Sequence, residues 1–221
     1  MYNSRLFSLA YIHSRAGLPH PKVDARMTRV QDDRASITAW ADSLPTDKIV
    51  LIYTDTAKDP ALLKALPRLT ERGIFVISLI NLSCPLVSSI SNLSSCFLPV
   101  THGDALDQLL DFFLSMDLRE DVTVDLIKSL FPTPRRRYPS FTFDRGESFR
   151  RLFSNVTNDI ISECGRRVHS VLFSVSISDG SHLPEARILI RELKERFPSA
   201  TVHGFPCFRK NGPPEVCAIF G

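Results

Sequence analysis

Two nearly continuous apolar runs constrain this chain more than any other feature. They are Ile49–Tyr53 (IVLIY) and Ile74–Ile80 (IFVISLI), separated by one helix-length segment. A strand that faces water on one side alternates apolar and polar residues. A strand covered on both faces does not, and parallel sheets are built from such strands. With the apolar segment Ser95–Val100 following, Lys48–Val100 reads as strand, helix, strand, short helix, strand, and the rest of the chain is organised around it.

Helix signals between the strands support this. Asp59-Pro60 combines an N-cap residue with proline at the first helical position, and Gly73 supplies the C-terminal stop. Pro67 lacks an N–H for the helical ladder, which predicts a bend or break there. Downstream, Asp104 precedes Leu106, Leu109, Leu110 and Phe113 at helical spacing, and Val122–Leu130 predicts another short helix.

Upstream, residues 4–16 read as a helix with Leu6, Ala10 and His13 on one face and Gly17 as its end. No strand is then expected before a modest one at Lys22–Val30, so the sheet lacks the first strand that a doubly wound domain normally has. Asp32 or Asp33 starts a helix with Ile37, Trp40, Ala41 and Leu44 at i, i+3, i+4, i+7, ended by Pro45.

Phe131–Pro139 (FPTPRRRYP) marks a boundary, with prolines and arginines and no periodicity. Beyond it, Asp144–Glu147 (DRGE) reads as a capping box for a helix through Phe149, Leu152, Phe153, Val156 and Ile160. A strand over Val168–Ile177, a helix from Ser181 to Phe197, a strand over Ala200–Phe205 and a short strand at Glu215–Phe220 complete the reading. The expected fold is α/β, three-layered and doubly wound, with a mainly parallel sheet, followed by a smaller α/β unit. The expected organisation is an α/β sheet domain over 1–130, a linker over 131–139 and a second unit over 140–221. That unit's Val168–Ile177 strand is a candidate to complete the first sheet.

Composition excludes several classes. With 43% hydrophobic and 23% charged residues the chain is an ordinary globular protein. A net charge of +3 gives no reason to expect nucleic acid as a partner. The 5 cysteines are scattered and form no CxxC pair, which argues against a disulfide framework or a zinc site. No run of about 18 apolar residues is present, so no membrane span is expected and the protein reads as intracellular, cytoplasmic or nuclear. No G-x-S-x-G, H-E-x-x-H or glycine-rich phosphate loop occurs, which points away from an enzyme. His203 and Cys207 are four apart, but with a strand over Ala200–Phe205 followed by Pro206 they need not share a face.

Candidate ligand-binding residues are Thr54, Asp55 and Thr56, a polar turn at the carboxyl end of a parallel strand, where open α/β sheets bind ligands. Asp55 with flanking hydroxyls can hold a hard divalent cation, which makes Mg²⁺ the one metal considered; otherwise no cofactor is expected. In the linker, Thr133-Pro134-Arg135-Arg136 has the form of a proline-directed phosphorylation site. A phosphate on Thr133 would lie beside Arg135, Arg136 and Arg137. Arg150–Phe153 (RRLF) has the form of a cyclin-docking motif, but Leu152 and Phe153 belong to the apolar face of a helix.

The strand ending in Thr54-Asp55, the helix ending ERGIFVI, then LVSSIS, SCFLPV and DALDQLLDFF resemble the C-terminal half of a von Willebrand factor A domain. Phe97, Val100, Leu106 and Leu109 match its closing strand and helix. That resemblance implies a degenerate metal site, with only Asp55 carried over as a ligand. It also implies a non-enzymatic protein–protein interaction or scaffold module within an intracellular complex. A second resemblance, to sugar isomerase (SIS) domains, rests on Thr54, Thr56 and Asn81 with Cys84-Pro85-Leu86. It implies a sugar-phosphate-binding or isomerase domain.

Overall fold

The structure, a computed structural model, describes residues 6–13, 27–54, 61–82, 84–100, 103–117, 119–131, 139–146, 148–165, 167–178, 182–208 and 213–221. The chain divides into two compact units, Met1–Tyr138 and Pro139–Gly221.

The first unit carries five parallel strands: β1 (Phe7–His13), β2 (Thr28–Gln31), β3 (Ile49–Thr54), β4 (Phe75–Asn81) and β5 (Cys96–Val100), in the order β2-β1-β3-β4-β5. The opening segment is therefore a strand and not a helix. β1 lies between β2 and β3, pairing Phe7 with Ile49 and Ile12 with Thr54. Ala10, Tyr11 and Ile12 are fully buried, as a strand covered on both faces requires. The first strand that the sequence reading found missing is present, and it is β1.

Helices α1 (Arg34–Ser43), α2 (Ala61–Glu71) and α3 (Val87–Leu93) cover one face. Their Ile37, Leu62, Leu66, Leu69 and Ile90 pack with Ala10, Ile12, Val50, Ile52, Val76 and Ile80. On the other face, Phe7 meets Phe113 of α4 (Gly103–Asp117) edge-on, with ring centroids 5.4 Å apart. Leu6 N–H donates to the Asp117 carboxylate at 2.6 Å, tying the start of β1 to the end of that helix. The unit is three-layer α/β with a parallel sheet, and α5 (Val124–Leu130) follows.

Asp33, not Asp32, caps α1: its Oδ1 accepts from Ser36 N–H at 2.9 Å and its Oδ2 from Ser36 Oγ at 2.8 Å. Helix α2 runs unbroken through Pro67, contrary to the bend expected there. Its buried stripe of Leu62, Ala65, Leu66 and Leu69 holds the helix against the sheet on both sides of the proline. Burying a leucine contributes about 1.5–3 kcal/mol, enough over the three leucines to offset one lost hydrogen bond.

The second unit is a mixed sheet of β6 (Ser140–Arg145), β7 (Ser170–Ile177), β8 (Thr201–Phe208) and β9 (Glu215–Phe220), ordered β6-β9-β7-β8. β9 runs antiparallel to both neighbours, and β7 is parallel to β8. The Val168–Ile177 segment therefore serves its own sheet and does not complete the first. Helices α6 (Phe149–Cys164) and α7 (Leu183–Arg196) pack over Val171, Phe173, Val175, Val216, Ala218 and Phe220.

Two local readings change in this unit. Asp144 belongs to β6, which the sequence reading missed, and Ser148 is the actual cap of α6. β8 continues through Pro206, which is tolerated because among the described residues β8 is an edge strand paired with β7 alone. His203 and Cys207 then do share a face, being four apart on one strand. Leu152 and Phe153 are buried, so the cyclin-docking pattern is core.

Candidate functional site at the carboxyl edge of the parallel sheet

All five strands of the first unit point the same way, so His13, Gln31, Thr54, Asn81 and Val100 end along one edge. In the order β2-β1-β3-β4-β5 the chain leaves β1 toward β2 on one side and returns as β3 on the other. The strand ends diverge at this switch point, and such crevices bind ligands in open α/β sheets.

Several chemically distinct side chains meet there. Tyr11 and Tyr53 are register partners on β1 and β3, stacked with centroids 5.5 Å apart and planes at 25°. His13 extends the row, its ring 5.6 Å from that of Tyr11. Both tyrosines are buried. Asp32 follows β2 directly, is only 8% exposed, and is fixed by donation of its backbone N–H to the His13 carbonyl at 2.9 Å. An acidic residue at the end of the second strand is where doubly wound folds hold a ribose hydroxyl. Beyond β4, the Asn81 carbonyl accepts from Cys84 N–H at 2.8 Å, shaping the turn that leaves Leu82 55% exposed.

Of the residues nominated from sequence, Thr54 stands at this edge, 1% exposed, between Ile12 and Ile80 in the sheet register. Asp55 and Thr56 lie outside the described residues, as do Thr133, Arg135, Arg136 and Arg137. Among the described residues no group of three or more His, Cys, Asp or Glu side chains could hold a metal ion. No described helix is long and apolar enough to cross a membrane. Tyr11 and His13 are not legible as sheet-edge residues because residues 4–16 read as a helix, and without β1 nothing pairs Tyr53 with Tyr11 or Asp32 with His13. The alternation of Phe7, Leu9 and Tyr11 was the available signal.

The donor set suits the base and sugar of a nucleotide better than its phosphates. Stacked aromatic rings, an amide and a carboxylate are present. The sequence, however, has no glycine between Gly17 and Gly73, and so no glycine-rich phosphate motif after β3. Thr56 and Lys58 are the donor side chains in that segment.

No protein-family model matches this sequence, and no curated protein matches it. Solved structures do. An FtsZ dimer from M. jannaschii, described as empty, matches over 100% of this chain and 89% of its own, with a TM-score of 0.58 at 10% identity. CetZ1 of Haloferax volcanii, a GDP-bound monomer, matches with a TM-score of 0.54 at 10% identity over 84% of this chain and 68% of its own. CetZ2 of the same organism, a GTPγS-bound protofilament, gives 0.55 at 10% identity over the same shares, 84% and 68%. The likeness establishes a fold of the FtsZ/tubulin-like kind.

This overturns both resemblances drawn from sequence. The strand–helix–strand unit of Lys48–Val100 is common to many doubly wound sheets. The strand that lies between β2 and β3 and sets the sheet order, β1, falls in the segment that reads as a helix. The structural likeness is to FtsZ and CetZ, not to von Willebrand factor A or SIS domains. The non-enzymatic scaffold and the sugar-phosphate alternative, which rested on those resemblances, are withdrawn with them.

Proposed function

We propose that this chain is a nucleotide-binding, self-associating protein built on the FtsZ/tubulin-like fold, with its nucleotide at the carboxyl edge of the parallel sheet. The observation that carries this reading is the switch point between β1 and β3, where the Tyr53–Tyr11–His13 row ends and the Asp32 backbone N–H meets the His13 carbonyl. The structural likeness supports it, since the similar CetZ structures are a GDP-bound monomer and a GTPγS-bound protofilament. A guanine nucleotide is accordingly the ligand, in place of the absence of any cofactor expected from sequence. The partner is another copy of the chain.

In this reading the half-buried His13, at the open end of the aromatic row, flanks the base and Asp32 accepts from a ribose hydroxyl. The phosphates are held by side chains of the segment after β3 in place of glycine amides. The test is calorimetric titration of the full chain with GDP and with GTPγS, paired with sedimentation in the presence of each. Saturable binding is expected, weakened about tenfold or more by Asp32→Asn, the loss of one charge-assisted hydrogen bond. Failure of both nucleotides to bind a folded sample would overturn the proposal.

A further inference from the structure

Away from the sheet edge, α1 and α2 pack side by side and leave a groove of about 90 Å³ between them. Its floor is small: Ala41, Ala61 and Ala65 are all buried, so nothing longer than a methyl fills it. Among the described residues its rim carries Arg34, Lys64 and Arg68, against the one carboxylate of Asp42. All three cations are exposed, and none makes a hydrogen bond or ion pair with any described residue. The walls are held together, because Arg72 donates from Nη1 to the Ala41 carbonyl and from Nη2 to the Leu44 carbonyl at 2.9 Å. The groove is therefore a preformed concavity with a local excess of positive charge.

We propose that this groove docks an acidic protein segment, whose carboxylates enter between Arg34, Lys64 and Arg68. Charge complementarity sets the chemistry of the partner. Asp42 at one end of the rim opposes a continuous line of phosphates, and three cations are fewer than the basic runs of about 5–8 that mark nucleic-acid patches. Arginine adds planar, bidentate recognition of carboxylate to the point charge of lysine. The surface is independent of whether a nucleotide occupies the sheet edge.

Zero-length carbodiimide coupling of a hexaglutamate peptide to the full chain tests this, with the new amide bonds mapped by mass spectrometry. Lys64 should be coupled several-fold more than Lys128 or Lys194, and the excess should shrink as salt is raised. Arg34→Gln and Arg68→Gln should each reduce coupling at Lys64 about two- to fivefold, and Asp42→Asn should increase it. These residues are exposed, and unchanged thermal melts would confirm that the variants fold. Equal coupling at all three lysines, or indifference to both arginine substitutions, would overturn the proposal. So would more effective displacement of the peptide by a dT12 oligonucleotide at equal charge, which would make the groove a nucleic-acid site.

Discussion

Tyr11 and Tyr53 stack at 5.5 Å between ring centroids, on neighbouring parallel strands and in matched register. The pair closes the aromatic face of the sheet where β1 and β3 part, so it belongs both to the core and to the candidate site. Replacing Tyr53 with alanine should cost about 3–5 kcal/mol of stability, read by urea denaturation. Tyr53→Phe keeps the ring and should cost much less. If the phenylalanine variant also loses nucleotide affinity at full stability, the hydroxyl and not the stack contacts the ligand.

Gly204 in β8 lies beneath Ile190 of α7, and a Cβ added there would stand 2.6 Å from Ile190 Cγ2. Isoleucine is stiff at χ1 and cannot swing clear at no cost. Gly204→Ala should destabilise by about 1–3 kcal/mol through overpacking. In a double-mutant cycle with Ile190→Ala, the two effects should be non-additive, because the second change removes the obstructing methyls. Additive losses would place the strain elsewhere.

Glu215 is 1% exposed and receives the Arg145 guanidinium at 2.7 Å, with the Cys217 thiol donating to its other oxygen at 3.3 Å. Arg145 is 42% exposed on its side chain, so the pair is partly screened. Arg145→Ala leaves a buried carboxylate without its cation and should cost about 2–3 kcal/mol, below the range for fully buried pairs. Glu215→Gln, which keeps the shape and removes the charge, should cost less. The reverse ranking by chemical denaturation would refute this account.

His203 is half-buried on β8, and its pKa is held below the usual 6.5 by burial and then by the Lys194 ammonium. The fold therefore favours the neutral imidazole, whereas the unfolded chain takes up a proton near pH 6.5. The stability at stake is fully present above that pH and is lost as pH falls from 6.5 toward the lower folded value. Thermal melts should show this decline, and His203→Gln should reduce it. An imidazole titrating at or above 6.5 by NMR would contradict the prediction.

The apolar runs of β3 and β4, the stripe of α2 and the stop at Gly73 were legible because each is a local pattern. β1 was not. Leu6, Ala10 and His13 sit at helical spacing, while Phe7, Leu9 and Tyr11 alternate, and a strand buried on both faces carries no polar side to break the tie. β6 escaped for the opposite reason: it is an edge strand, and its residues are mostly half-buried. Of the candidate site, Thr54 and Asn81 were legible at the described edge, since they end strands read from their own apolar runs; Tyr11 and His13 depended on recognising β1.

Sequence by itself determined the class of the fold, the parallel β3–β4 pair and the helices laid against it. These follow from short-range periodicity and capping chemistry, which neighbouring residues express on their own. Tertiary structure decided that Phe7–His13 is a central strand and that β7 serves a second sheet. It also brought Tyr11, Tyr53, His13 and Asp32 to one edge. Those outcomes rest on hydrogen bonds and contacts between segments distant in the chain, and no local propensity encodes which strand will sit beside which.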